Sequence, residues 1–459
     1  MIKGFLFLLG GTVIAQVGTL VATPFLAQLY GPNLFGTLAI LIGCVTIFSS
    51  IGSFKLDVAM QNVSVDKDYQ SIVNCAFLIN IFILLILGFI LVVLSKFDVF
   101  FFRDDVKKVN LFFLFLGCTG IVFYNFAVSC ALRDKAYRKA GFSRVLLIFS
   151  MLFLQFLLYP LSDLGLVLGY SLSFVFPVYI LCLNYKIFYF NKFSFREIFF
   201  VCKKEYKFTL YTNISSLINA VGNQVHILFF GAYYGLDMVG LLMLSQKIIS
   251  APIKMIADSI SKIIYTNKID MEKENAILFV NIIFYVLVCS IPVFVVVFYF
   301  IEPLIVFFFG AEWVGAAKYS EYAIVLGGFT LIGMPLYNIM LKIGCNKSAM
   351  FFEFFMIAIR VSVLVLTFSF QWNSIFSVMV LFLVASLFWF FYIAYSLFFI
   401  GLSCFKIFFA FIFYVFYIFS LYCFLRFNDE DLILIVVIYS FLFVLLCFGL
   451  FSYVKKNNF

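Results

Sequence analysis

The segment FTLYTNISSLINAVGNQVHILFFGAYYGL, residues 208–236, combines a long apolar run with one polar stripe. Five polar residues recur in it at steps of 4, 3, 4 and 3: Thr212, Ser216, Asn219, Asn223 and His226. Steps of three and four place side chains on one face of an α-helix. An otherwise apolar helix belongs in a lipid bilayer, with its polar face turned away from the lipid. The segment therefore predicts a membrane-spanning helix with a polar seam.

The first apolar segment of the chain has a similar stripe. Four polar residues recur there at steps of 4, 3 and 4: Thr12, Gln16, Thr19 and Thr23. We call this set the first seam, and the set in residues 208–236 the second seam. Such stripes either join neighbouring membrane helices by hydrogen bonds or line an aqueous cavity. The repetition favours two walls of one cavity.

Composition assigns the chain to the membrane proteins. Hydrophobic residues make up 65% of its 459 residues and charged residues only 12%. Residues 4–54 and 361–405 contain no charge, and each stretch has room for two spans of about 20 residues. We therefore predict an all-α integral membrane protein with about 14 transmembrane helices. The predicted spans are residues 4–26, 35–57, 72–95, 109–131, 145–162, 165–185, 208–230, 239–259, 276–300, 320–341, 350–370, 375–399, 407–425 and 432–454.

The distribution of lysine and arginine predicts the orientation. If both termini lie on one side of the membrane, that side carries 24 of the 31 basic residues and the other side carries 6. Basic loops remain in the cytoplasm, so both termini are expected there. The net charge of +9 is then a consequence of topology and does not imply a nucleic-acid partner.

The chain also contains a weak internal repeat. The turn YGPNLFGTL (residues 30–38) matches YGLDMVGLL (residues 234–242) at an offset of 204, and three shorter matches follow at offsets of 201, 207 and 213. Six spans separate the copies, so the repeat is parallel, about an axis along the membrane normal. We predict two parallel six-helix lobes, residues 1–200 and 201–400, followed by an additional helix pair in residues 401–459.

Three charged residues are candidates for a path through the membrane. Arg360 is predicted in the middle of a span, where a charge costs about 2.5–3.5 kcal/mol on insertion scales. Glu353 lies seven residues earlier, on the same helix face but about two turns away, and Lys247 lies deep in the eighth predicted span. These groups either face an aqueous cavity or form ion pairs with other helices.

No sequence pattern predicts catalysis, a metal site or a cofactor. A phosphate-binding glycine-rich loop is absent, and His226 has no acidic or nucleophilic partner near it in sequence. The 11 cysteines are scattered, which is typical of small apolar packing residues. His226 is either a proton-responsive group or a neutral, hydrogen-bonded imidazole. The sequence thus predicts a protein that is not an enzyme.

Several segments resemble a known family. They are PFLAQLYGPNLFG (residues 24–36), SFKLDVA (53–59), LSQKIISAPIKMIADSI (244–260) and GAEW (310–313). In this order they resemble the bacterial polysaccharide or O-antigen flippases, the polysaccharide-transporter branch of the MOP superfamily, which is MATE-like in fold. The resemblance covers roughly residues 1–345.

The resemblance implies both a function and an environment. It implies two lobes of six helices, often with two more helices, in the bacterial cytoplasmic (inner) membrane. It implies alternating access that moves an undecaprenyl-pyrophosphate-linked oligosaccharide for O-antigen, capsule or lipopolysaccharide biosynthesis, with membrane lipids and the polysaccharide polymerase machinery as partners. Lys55 and Asp57 fall at the basic-x-acidic pair of that family, although lysine lacks the bidentate fork of arginine.

The residues can then be given expected roles. The two seams would offer hydrogen bonds to sugars, while Arg360, Lys247 and Lys55 would offer charge to the phosphates. Asp57, Glu353 and His226 are the candidates for coupling to an ion.

Other functions remain open. A cation-coupled multidrug exporter and a peptidoglycan-precursor flippase share the superfamily, and a membrane polysaccharide polymerase shares the composition. Polymerases usually carry a long periplasmic loop, whereas the longest predicted here is about a dozen residues.

Overall fold

The chain is helical throughout the part that can be described. The computed structural model describes residues 2–60, 66–96, 111–184, 195–266, 294, 297–343 and 345–400. Its helices are α1 (Ile2–Ser49), α2 (Leu56–Ala59), α3 (Asp66–Lys96), α4 (Leu111–Arg133), α5 (Tyr137–Leu157), α6 (Gly165–Leu172), α7 (Val175–Asn184), α8 (Phe195–Tyr234), α9 (Leu236–Thr266), α10 (Val297–Phe309), α11 (Val314–Lys342), α12 (Asn346–Phe370) and α13 (Ser374–Ile400). Short 3₁₀ turns occupy Gly52–Lys55, Tyr159–Leu164 and Ala311–Trp313.

The predicted class, an all-α integral membrane protein, is confirmed. Within the described ranges, nine segments are long and apolar enough to cross a membrane, and α10 is a shorter apolar helix. The total of 14 spans stays a prediction. Most of the ninth predicted span and both spans of the final pair lie outside the described residues. The seventh predicted span, on α8, is not among the nine, because the polar residues of the second seam lower its mean hydropathy.

Two predicted spans are joined in one kinked helix. α1 runs through the predicted turn at residues 30–36, where Gly31 takes φ 70° and ψ 172°. A positive φ is easily adopted only by glycine, and the following Pro32 has no N–H to donate to the preceding turn. The YGP sequence therefore bends the chain at the predicted break without a separate loop.

Several predicted spans differ from the helices observed. The second, predicted to end at residue 57, ends at Ser49. α8 begins at Phe195 and α5 at Tyr137, 13 and 8 residues before the predicted starts at 208 and 145. Helices continue beyond the apolar stretch because charged residues are good helix formers in water. The sixth predicted span, 165–185, is divided into α6 and α7, which are separated by Ser173 and Phe174.

Packing divides the chain into two compact units, Met1–Met243 and Leu244–Phe459. In the first unit α1 packs most extensively against α5 and also contacts α4 and α8. Gly11 of α1 lies against the backbone of Gly141 in α5, so these two helices approach closely. The lobe boundaries at residues 200 and 400 were inferred from the repeat and stay a prediction.

The second unit has an aromatic core between α11, α12 and α13. Phe352 of α12 stacks on Phe388 of α13, with ring centroids 5.1 Å apart and planes inclined by 14°. Phe352 also contacts Trp389 and Tyr392, at 4.7 and 4.1 Å. Gly333 of α11 lies directly against the Trp389 ring, so α11 and α13 pack with little space between them.

The surface is rich in large apolar side chains. Phe89 of α3 is 71% exposed, and Phe391 and Phe398 of α13 are 65% and 70% exposed. Soluble proteins rarely present such extended apolar surface, whereas in a bilayer these side chains contact lipid. The exposed phenylalanines of the described helices thus form part of the lipid-facing surface.

Candidate functional site

The two turns of the internal repeat contact each other within the first unit. A Cβ on Gly36 would collide with the carbonyl oxygen of Leu236, and a Cβ on Gly240 would collide with the carbonyl oxygen of Pro32. Only glycine allows backbones to approach so closely. We call this contact the glycine junction.

The glycine junction is reciprocal. Gly36 and Gly240 are related by the repeat offset of 204, and so are Pro32 and Leu236. In each copy, the glycine therefore contacts the carbonyl at the equivalent position of the other copy. A twofold axis produces this kind of reciprocal pairing. This pairing agrees with a parallel repeat about a single axis.

The first seam faces the interior of the first unit and includes an arginine that sequence reasoning did not assign to it. Arg144 of α5 donates a hydrogen bond from Nη1 to Thr12 Oγ1 at 2.7 Å. In the part of the chain that the structure describes, Arg144 forms no ion pair. A half-buried guanidinium therefore lies beside the first seam, and most of its five N–H donors make no hydrogen bond to a described residue.

The other members of the first seam differ in their hydrogen bonds. Gln16 Oε1 is buried and accepts no hydrogen bond from any described residue. Thr19 and Thr23 donate to the carbonyls of Ala15 and Thr19, at 2.9 and 2.6 Å, which satisfies their hydroxyls within α1. The hydrogen-bonding groups that are not satisfied by carbonyls of α1 itself thus lie near Arg144, Thr12 and Gln16.

The second seam forms in part as predicted. Asn223 Nδ2 donates to Asn219 Oδ1 at 2.9 Å, as the four-residue step requires, and both side chains are exposed. Thr212 and Ser216 are half-buried, while His226 is buried with 7% exposure. The stripe therefore changes along α8 from an exposed amide pair to an enclosed imidazole.

α8 packs against the second half of α1, beyond the kink. A Cβ on Gly43 of α1 would lie 3.5 Å from Gln224 Oε1 of α8. Gly231 of α8 packs on the Ile40 side chain of α1. The first seam occupies the opposite half of α1. That the two seams face one cavity stays a prediction.

Lys55 lies in an unusual backbone conformation. Phe54 and Lys55 have φ values of 48° and 58°, although neither is glycine. Left-handed geometry costs an ordinary L-residue roughly 1–2 kcal/mol, and such residues cluster at functional positions. Lys55 and Asp57 are both half-buried, in the short segment between α1 and α3.

In the second unit, Glu353 has a defined partner. Tyr337 of α11 donates its hydroxyl to Glu353 Oε1 of α12 at 2.6 Å. Arg360, seven residues further along α12, and Lys247 of α9 are both half-buried. Their roles in a transport path stay predictions, as does coupling of an ion through Glu353, Asp57 or His226.

Replacing Tyr337 by phenylalanine is expected to destabilise the second unit. A hydrogen bond to a carboxylate contributes up to about 1.5–3 kcal/mol, and Glu353 Oε1 would lose the hydroxyl that donates to it. Thermal unfolding of the purified protein in detergent should show a clear decrease in Tm. Tyr395→Phe, at a 45% exposed tyrosine of α13, is the matched control and should leave Tm unchanged. An equal Tm for both variants would show that the bond contributes nothing.

Arg144 could have been found from the sequence by extending the fifth span toward its N-terminus. Arg144 directly precedes the apolar run that begins at residue 145, so it falls outside the predicted span 145–162. The helix in fact begins at Tyr137, so Arg144 lies on its third turn, level with Thr12.

Comparison with known proteins identifies the family and the fold. The sequence profile described as "Polysaccharide biosynthesis protein" matches residues 25–318. No curated protein sequence matches the chain significantly. Among solved structures, the lipid II flippase MurJ in an inward closed conformation is similar, with a TM-score of 0.73 and 15% identity over 98% of this chain and 99% of that chain.

Multidrug transporters share the same architecture. An inward-facing MATE family transporter of the MOP superfamily aligns over 85% of this chain and 94% of its own, with 16% identity and a TM-score of 0.51. A MATE protein in complex with MaD3S aligns over 87% and 96%, with 14% identity and a TM-score of 0.57. Identities this low establish a common fold and nothing about substrate. Because the family profile covers well over half of the chain, this protein belongs to the polysaccharide biosynthesis protein family, with the helical fold of the MurJ and MATE transporters.

Proposed function

We propose that the protein is a flippase that moves an undecaprenyl-pyrophosphate-linked oligosaccharide, of O-antigen or capsule type, from the cytoplasmic to the outer leaflet of a bacterial inner membrane. Family membership and the flippase and transporter fold support a membrane flippase in general. The finer assignment rests on the chemistry of the first seam.

The observation that carries the proposal is the bond between Arg144 and Thr12. It places a half-buried cation of α5 beside hydroxyl and amide groups of α1. Guanidinium groups bind phosphate oxygens by paired hydrogen bonds, and hydroxyl and amide groups bind sugar hydroxyls. An ordinary hydrophobic cargo would need neither, whereas a lipid pyrophosphate that carries sugars needs both.

The glycine junction supports alternating access. Two equivalent turns that meet by bare backbone contact have few interlocked side chains to separate, which suits a junction that opens and closes. In this proposal the substrate enters from the cytoplasmic side while the junction is closed, and opening of the junction releases it on the other side.

Loss of the gene, followed by leaflet-resolved detection of lipid-linked glycan, tests the proposal. The glycan should accumulate in the cytoplasmic leaflet, and reintroduction of the gene should restore its appearance outside. Normal export in a strain without a second flippase would overturn the proposal. Accumulation of lipid-linked peptidoglycan precursor instead would assign the protein to precursor transport.

Arg360→Ala and Lys247→Ala are each expected to abolish transport while leaving the protein inserted and abundant. Both remove a cation from an apolar span, where a charge costs about 2.5–3.5 kcal/mol of insertion free energy. Lys347→Ala is the matched control, because it removes an exposed cation from the start of the helix that carries Arg360. Transport should be measured in the complementation assay, with protein quantified in isolated membranes. Normal transport by both variants would remove the two residues from the path.

A further inference from the structure

An apolar cavity of about 610 Å³ lies within the first unit, apart from both seams. It is bounded by the C-terminal end of α1, by α3, α4 and α8, and by the segment between α1 and α3. All but two of its lining residues, Cys118 and Thr209, are aliphatic or aromatic. Its size is that of a pocket for a drug-sized ligand, and its walls offer dispersion contacts almost alone.

The cavity opens toward the lipid. Phe82, Ile86 and Ile90 of α3 line it and are also 64%, 43% and 41% exposed. The same residues therefore belong to the apolar outer surface of α3 and to the cavity wall. A hydrocarbon chain could enter from the bilayer without crossing a polar barrier.

A lysine adjoins the cavity lining along the chain. Phe54 and Leu56 both line it, and Lys55 stands between them. Lys55 is half-exposed and forms no hydrogen bond or ion pair with any residue that the structure describes. The left-handed backbone at Phe54 and Lys55 is retained against its conformational cost. Two residues that line the apolar cavity thus flank a lysine whose ammonium group has no described partner.

We propose that this cavity binds one acyl chain of an anionic membrane phospholipid, with the phosphate of its headgroup at Lys55. The apolar walls match the chain, the opening faces the bilayer, and the ammonium group complements the phosphate. The walls contain no group that would select a polyprenyl chain over an acyl chain. Because phospholipids are the most abundant lipids in the membrane, they are the expected occupants.

The first test uses the unaltered full-length protein. It is reconstituted in vesicles of phosphatidylcholine and phosphatidylglycerol, and the phosphatidylglycerol carries a photoactivatable diazirine near the end of its acyl chain. After irradiation, mass spectrometry should locate the label mainly on peptides containing Ile83, Val122 and Leu210, which line the cavity. Equal labelling of the exposed Phe391 and Phe398 of α13 would show ordinary lipid contact and overturn the proposal.

The second test measures headgroup preference. Native mass spectrometry of protein from an equimolar mixture of the two lipids, with identical acyl chains, should show one retained phosphatidylglycerol. Its preference over phosphatidylcholine should be about fivefold, as expected for one cation at a membrane surface. Lys55→Asn should abolish this preference, since asparagine tolerates the left-handed backbone but carries no charge. Lys55→Arg should retain it, and an unchanged preference in Lys55→Asn would overturn the role of the ammonium group.

A matched pair of variants on α3 tests the cavity itself. Ile83→Trp fills it and should remove the retained lipid, whereas Leu85→Trp, at a 67% exposed residue outside the lining, should not. Retention in both variants would place the lipid elsewhere. Displacement of phosphatidylglycerol by equimolar undecaprenyl phosphate would overturn the phospholipid assignment in favour of a prenyl chain. None of these measurements depends on transport, so they stand or fall separately from the flippase proposal.

Discussion

Alanine at position 36 is expected to reduce translocation at least roughly tenfold, because the new methyl group would occupy the position of the Leu236 carbonyl oxygen. The two turns of the glycine junction would have to separate, which opens one end of the path when it should be closed. Tm of the purified protein should fall by roughly 4–10 °C, as expected for overpacking of a unit of this size. Leaflet-resolved glycan detection and thermal unfolding measure the two effects.

Gly18→Ala is the matched control for this substitution. Gly18 lies in the same helix, and a Cβ there meets nothing within 4 Å. Its replacement should leave transport unchanged and slightly increase stability, because alanine favours helix more than glycine does. Wild-type transport and Tm in Gly36→Ala would mean that the junction is not a close contact in the functioning protein.

The reciprocity of the junction gives a further measurement in the same experiment. Gly240→Ala should be about as damaging as Gly36→Ala, since its methyl group meets the equivalent carbonyl of Pro32. The double variant should be less damaging than the sum of the two, because turns that have already separated accommodate the second methyl group. Strict additivity would argue against a shared contact.

Glutamine at position 144 is expected to reduce translocation by at least roughly tenfold while leaving the protein in the membrane. The amide can still donate to Thr12, but the charge that would hold the pyrophosphate is lost. Arg144→Lys should be intermediate, because lysine keeps the charge and loses the planar fork. The readout is glycan flux in the complementation assay, normalised to protein in isolated membranes.

Two controls separate charge from packing in this experiment. Thr12→Val removes the hydroxyl acceptor and should have a smaller effect than Arg144→Gln, since the cation remains. Lys135→Asn removes an exposed cation from the turn before α5, where asparagine tolerates the left-handed φ of 58°, and should be neutral. A normal flux in Arg144→Gln would refute the part of the proposal that depends on the first seam.

The fold class could be read from local sequence because a bilayer imposes local rules. An uncharged run of sufficient length predicts a span wherever it occurs, and the break at residues 30–36 follows from the glycine-punctuated stretch between two such runs. The step of four likewise predicts that Asn219 and Asn223 share a helix face, which allows the hydrogen bond between them. These features depend on neighbours within one or two helical turns, which the sequence displays directly.

The remaining features depend on residues distant in sequence. The partner of Arg144 lies 132 residues away, and nothing local distinguishes Arg144 from nearby cations such as Arg138 and Lys139. The repeat identified Gly36 and Gly240 as equivalent, but not that each would meet a carbonyl of the other copy. The left-handed backbone at Lys55 was also unexpected, since neither Phe54 nor Lys55 favours it and the surrounding packing must supply the compensation.

The length of α8 has a mechanical consequence. Its 40 residues make a rod about 60 Å long, twice the thickness of the hydrocarbon core. One end is held against α1 near Gly231, and the other end extends beyond the apolar stretch as the charged segment 195–207. α8 also borders α3 and α4 at Thr209 and Leu210, so the part beyond that packed stretch is the charged segment 195–207, about 20 Å long. A tilt of about 10° measured from there would displace its end by about 3 Å. A distance probe attached to this segment would therefore report movements of α8 that are smaller at the glycine junction.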